Sequence, residues 1–168
     1  MSQKPETLLW NRIKSKIPPN WNITRIENRY GGGVPDVHIC AEAVPFWVEL
    51  KITKTNAINI SAQQIAWNYA YCRSGGVSFY LVHPLLSPHL YLFDGIHGRE
   101  LVKSGLRGVD LGSGSGVKPI WSGDSESGIL VGMFEAARSR VGVGSGRDHE
   151  TGSDPGWPGS GVYGSFKR

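Results

Sequence analysis

Leu9, Ile13 and Ile17 recur at i, i+4 and i+8 behind Pro5, whose missing N–H suits the first turn of a helix, and this spacing predicts a helix over residues 5–17. Pro18-Pro19 ends it. Trp21 to Arg29 alternates loosely and predicts a strand. After Gly31-Gly32-Gly33, a flexible bend without side chains, Val37 to Cys40 predicts a short strand and Phe46 to Ile52 a second one rich in β-formers. The turn through Ala41 to Pro45 makes those two a hairpin.

Ser61 followed three residues later by Gln64 is a capping-box signature. Ile65, Tyr69 and Cys72 share one face of the helix it opens, and Gly75-Gly76 closes that helix. Val77 to Val82 is apolar on nearly both faces, as a central strand covered on both sides would be. Leu90 to Phe93 predicts a further strand and Arg99 to Lys103 a short helix. The order that results is α, β, β, β, α, β, β, α. Beyond Gly105 only residues 129–140 carry a helical apolar pattern, through Ile129, Met133 and Ala137 with Leu130 and Phe134 alongside.

Composition divides the chain. Its 168 residues are about one domain's worth, yet sixteen of the 23 glycines fall in the last 64 positions. That density predicts a core over residues 1–104 and a weakly packed Gly/Ser-rich extension over 105–168, with a disordered tail over 142–168. Charge divides it the same way. The formal net charge is +4, and residues 1–74 hold nine basic against five acidic side chains while the remainder is balanced. A basic folded half favours an anionic partner such as nucleic acid.

Several classes drop out. No apolar run approaches the roughly 18 residues that span a bilayer, and Met1 to Glu6 carries no apolar leader, so a soluble, cytoplasmic protein is expected. Two cysteines, Cys40 and Cys72, provide neither a disulfide scaffold nor a thiolate cage.

Chemistry concentrates in Pro35-Asp36-Val37-His38 and Glu49-Leu50-Lys51. Side chains alternate across a strand, so Glu49 and Lys51 emerge on one face, about 6.6 Å apart along it, and hairpin pairing can bring Asp36 beside them. Two carboxylates at a sheet edge suit a hard divalent ion that prefers oxygen ligands. An adjacent ammonium can hold the attacking water and offset phosphate charge, which is the equipment of metal-assisted phosphodiester hydrolysis.

With Gly33-Val34-Pro35-Asp36, Phe46-Trp47-Val48-Glu49-Leu50-Lys51 and the helix through Gln64 and Trp67, the chain resembles the PD-(D/E)xK nuclease superfamily over residues 5–103. Within it the chain is most similar to the VRR-NUC and Holliday-junction-resolvase-like group, often encoded by bacteriophages. The resemblance implies a restriction-endonuclease-like α/β core with a central mixed sheet flanked by helices. It implies a DNA endonuclease, cytoplasmic in a bacterial or phage-infected cell, that uses Mg²⁺, with Mn²⁺ able to substitute, and acts as a homodimer. Asp36 and Glu49 would bind the metal with the backbone carbonyl of Leu50, Lys51 would position the water, Glu6 would serve a second metal position, and Gln64 would sit beside the site.

Each has a plainer reading. Gln64 caps its helix, Glu6 complements a helix dipole, and Glu27 competes with Glu6 for the accessory role. His38 shares the strand face of Asp36, within reach of a phosphate, or is simply a surface polar group. Arg25, Arg29, Lys54 and Arg73, with Tyr30 and Trp47, form a candidate backbone-contacting rim. The alternative function is a non-catalytic nucleic-acid-binding accessory module on the same fold. Gly112 to Lys118 fails as a phosphate loop because Pro119 follows the lysine where Ser or Thr is needed.

Overall fold

The structure, a computed structural model, describes residues 5–26, 32–107, 109 and 116–142. Six strands form one mixed sheet in sequential order, and helices cover both faces. The elements are α1 (Pro5–Lys14), β1 (Asn22–Arg25), β2 (Val37–Ala41), β3 (Val44–Thr53), α2 (Ala62–Arg73), β4 (Ser78–Pro84) and β5 (Leu90–Asp94), then a 3-10 turn (Gly95–His97), α3 (Gly98–Ser104), β6 (Trp121–Gly123) and α4 (Glu126–Val141). Every neighbouring pair is antiparallel except β3 and β4, which run parallel. A parallel pair needs a crossover, and α2 supplies it. The expected class, an α/β core with a central mixed sheet flanked by helices, is the one observed.

Alternation along β3 sorts its side chains between two cores. Val44, Phe46, Val48 and Leu50 join Val37, Ile39 and Ala41 of β2 beneath α1 and α4. The opposite face of the sheet, through Tyr80, Val82, Tyr91 and Phe93, packs with Leu101 of α3 and partly buried Ile65 of α2. Trp47, Glu49 and Lys51 therefore look toward α2. β4 is buried on both faces, as its unbroken apolar run predicted.

Several expectations need correcting. The first helix stops at Lys14 rather than residue 17, because the chain turns at Ile13–Lys16 ahead of Pro18-Pro19. The strand expected over 21–29 is β1, Asn22–Arg25, and residues 27–31 lie outside the described residues. The buried stripe of α2 runs through Ile65, Asn68 and Cys72, with Tyr69 half exposed, because an i+3 step serves the 3.6-residue period as well as i+4. Weak packing after Gly105 is not what residues 116–142 show. Trp121–Gly123 adds a sixth strand to β5, and Ile129, Leu130, Met133 and Ala137 of α4 are buried in the main core beside α1. Arg12 of α1 and Glu126 of α4 form an ion pair across that helix contact. Three large buried side chains at about 1.5–3 kcal/mol each make α4 part of what holds the sheet together. The tail over 143–168 lies outside the described residues.

The hairpin joining β2 to β3 turns through Glu42 and Ala43, both at positive φ (49° and 65°). Two such residues in a two-residue loop match the right-handed twist of the strands, a conformation usually given to Asn and Gly.

Candidate active site

The hairpin register pairs Val37 with Val48. Asp36, one step earlier, therefore stands opposite Glu49 on the face that looks toward α2. Leu50 N–H donates to Asp36 Oδ2 at 2.8 Å, which fixes the carboxylate against the edge of β3 that β2 has just left. In a strand the N–H and C=O of one residue leave on the same edge, so the Leu50 carbonyl is directed to that edge as well.

Glu49 is almost wholly buried (1% exposed), and its Oε1 accepts from Gln64 Nε2 and pairs with Lys51 Nζ at 3.1 Å. Lys51 Nζ also donates to Gln64 Oε1 at 2.9 Å. Gln64 caps its helix and at the same time contacts Glu49 and Lys51. Its Oε1 accepts from the Ser61 N–H at 3.0 Å while Ser61 Oγ accepts from the Gln64 N–H at 3.2 Å, closing the capping box. The first turn of α2 is thus bolted to the β3 carboxylate and ammonium by one amide side chain.

Electrostatics single out Glu49. Loss of solvent, reinforced by the negative charge of Asp36 and opposed by Lys51, pushes its carboxyl up to about 7. Asp36 is also raised, by burial foremost and partly by the field of Glu6, against the Leu50 N–H and the charges of Lys51 and Arg25. Glu49 Oε2 is buried with no hydrogen-bond partner. An unpartnered buried carboxylate oxygen is costly, and a cation shared with Asp36 would satisfy it. All the nearby donors are oxygens, the set a hard cation such as Mg²⁺ takes with retained waters, so these residues fit such an ion. Among the described residues no three His, Cys, Asp or Glu side chains are gathered as for a metal. Glu6 therefore lies near enough to act on Asp36 through its charge but does not complete a three-carboxylate cluster.

Arg25 is drawn toward the site from β1. Its guanidinium donates to Thr7 Oγ1 at 3.3 Å and lies 6.0 Å from the Trp10 ring centre, both on α1. His38 shares the face of Asp36, as alternation implied, and its ring packs 4.8 Å from that of Trp47. Lys54, beyond β3, and Arg73, in the last turn of α2, are exposed. Arg29, Glu27 and Tyr30 lie outside the described residues.

Two supports escaped sequence reasoning. Asn68, fully buried, donates through Nδ2 to the Gln64 carbonyl at 2.9 Å, and the Tyr80 hydroxyl reaches the same carbonyl at 3.5 Å. A polar residue three positions after Ile65 on an inward helix face was the available signal. The glycines before Pro35 also have a firmer role than a flexible bend. At Gly33, with φ of +105°, a Cβ would lie 2.5 Å from the Gln63 carbonyl oxygen, so only glycine lets the Asp36 loop close on the first turn of α2.

No family model and no curated protein matches the chain. Among solved structures it is similar to Hjc from Archaeoglobus fulgidus, a Holliday junction resolvase from an archaeal hyperthermophile, at 15% identity and a TM-score of 0.40, over 53% of this chain and 72% of that one. At that level of likeness the chemistry has to be read from the side chains themselves. No helix among the described residues is long and apolar enough to cross a membrane.

Proposed function

We propose that this protein is a divalent-metal-dependent DNA endonuclease of the PD-(D/E)xK, resolvase-like type, with Asp36, Glu49 and Lys51 at its centre. The observation that carries the reading is the buried Glu49 Oε2, to which no donor is directed, on a carboxyl raised by the neighbouring Asp36 and with an ammonium paired to its other oxygen. Mg²⁺, or Mn²⁺ in its place, would supply Lewis-acid polarisation of the scissile phosphate and a water of lowered pKa. Asp36 and Glu49 would hold the cation, with the Leu50 carbonyl as a further oxygen ligand. Lys51, kept in place by Gln64, orients the water for in-line attack on phosphorus and offsets the charge that develops on the phosphoryl oxygens. Water adds to phosphorus, giving up a proton to solvent, as the bond to the leaving sugar oxygen breaks and that oxygen takes a proton from solvent, leaving one phosphate end and one hydroxyl end. Arg25, with Lys54 and Arg73 further out, contacts the backbone on either side. A homodimer would bring two such centres to two strands.

The test offers purified protein and Mg²⁺ linear, supercoiled, four-way-junction and single-stranded-armed duplex DNA, alongside Glu49→Gln and Lys51→Ala. Cleavage by the wild type that both variants lose supports the assignment. Absence of cleavage on all four substrates, or variants that cut as well as the wild type, refutes it. DNA binding that persists in EDTA without any cleavage would instead favour an accessory binding module.

A further inference from the structure

Four rings lie outside both hydrophobic cores and form a continuous row beside the carboxylates. His38 and Trp47 are direct cross-strand partners in the β2–β3 hairpin, with ring centres 4.8 Å apart. Trp67 of α2 meets Trp47 edge-on at 5.4 Å, and Tyr71, one helical turn on, stacks against Trp67 at 4.9 Å with planes 18° apart. All four are partly exposed, and neither core takes them as members or as packed neighbours. Aromatic side chains are normally the largest contributors to a core, so three of them aligned with a histidine at the surface call for another occupant.

Their position names it. Asp36 and Glu49 oppose each other across the hairpin, and His38 and Trp47 are the next opposed pair on the same face, two residues along each strand and therefore about 6.6–7 Å away. A nucleotide whose phosphate rests at the carboxylates carries its neighbouring base over the rings. Inside a duplex both faces of that base are taken by its stacked neighbours. A protein ring can stack only on a base that is unpaired or has been turned out of the helix.

We infer that the row of His38, Trp47, Trp67 and Tyr71 is a stacking platform for an unpaired nucleobase next to the scissile phosphate, so that the substrate is DNA with a single-stranded arm, gap or branch rather than continuous duplex. The inference rests on the nuclease reading for the place of the phosphate, and it deepens that reading by specifying the substrate. Sequence-tolerant stacking of this kind recognises strandedness, because every base has a π-face.

The experiment measures binding of full-length Glu49→Gln, in EDTA, to one fluorescently labelled duplex made blunt or with a ten-nucleotide single-stranded arm. The armed duplex is expected to bind more tightly and to quench tryptophan emission. Adding Trp67→Ala should weaken armed-duplex binding on the order of tenfold and leave blunt-duplex binding unchanged, and Trp67→Phe should restore most of the loss. His38→Ala, on the hairpin, gives a second variant should the helix substitution unsettle the fold, and it should reduce the same preference. Equal affinity for the two duplexes, or a loss from Trp67→Ala that is the same on both, overturns the inference. The two readings fail separately. Wild-type cleavage in Mg²⁺ that ignores the arm and survives Trp67→Ala removes the platform and keeps the nuclease. Arm-selective binding that needs Trp67, without cleavage in Mg²⁺, keeps the platform and removes the nuclease.

Discussion

Replacing Glu49 by Gln should make the metal-free protein more stable, by a margin that opens above about pH 4.5 and is full above about pH 7. The carboxyl is displaced from its ordinary 4.5 to about 7 by lost hydration and by the charge of Asp36. Between those values the folded chain keeps a proton that the unfolded chain has already released, so wild-type stability falls as pH rises through that window and levels off above it. At about 1.4 kcal/mol per pKa unit the full effect has an upper bound of about 3.5 kcal/mol. Glutamine is isosteric with the protonated acid and does not titrate. It still accepts from Gln64, while Lys51 keeps its bond to the Gln64 amide oxygen. Thermal melts in EDTA should show the two proteins equal near pH 4.5 and Glu49→Gln ahead by about 1–3 kcal/mol at pH 8, a shift in Tm of several degrees for a chain of this size. Excess Mg²⁺ should reverse the order at pH 8 by stabilising only the wild type, since a ligand that binds the folded form alone raises its apparent stability. A stability difference that does not change with pH, or a variant less stable than wild type at pH 8 in EDTA, would refute the electrostatic account of the site.

Three further outcomes follow from the packing. Gly33→Ala forces a Cβ against the Gln63 carbonyl at a φ that alanine avoids, so it should cost roughly 1–3 kcal/mol and lower cleavage more than Gly75→Ala, which shares a positive φ of +89° but has open space around its Cβ. Ile129→Ala should destabilise by about 2–5 kcal/mol in urea melts if α4 belongs to the main core, whereas a loosely attached extension would give a change near zero. Ala43→Gly relieves a left-handed residue in the hairpin turn and should raise stability by about 1 kcal/mol with no change in cleavage.

Much of the centre was legible because it depends on short-range regularities. Alternation placed Glu49 and Lys51 together, the β-formers on either side of Ala41–Pro45 implied the hairpin that brings Asp36 opposite, and Ser61 with Gln64 announced α2. The misses came from interactions that act at a distance or through an unusual local choice. Trp121–Gly123 is a strand only because β5 offers it a partner, from Leu90 to Leu92. Its three residues carry no alternation of their own. Glycine density in the C-terminal third pointed away from order, yet Gly128 and Gly132 lie against the flat of the Trp121 ring, where larger residues would not fit. Glu42 and Ala43 lack the Asn-Gly signature of the turn they adopt. The aromatic row needs α2 laid over the hairpin, a relation that no window of sequence contains.

The ion pair between Arg12 and Glu126 joins two helices that are far apart in the chain and adjacent in space. Every residue assigned to the centre precedes position 65, but the sheet face that carries α1 is completed only by α4. During synthesis the ribosome releases Asp36, Glu49 and Lys51 long before Met133 and Ala137 arrive to cover their sheet. Such long-range closure slows folding, and until α4 docks the nascent chain presents to solvent the part of its main core that α4 covers. The candidate centre should therefore assemble late, after nearly all of the described chain has emerged.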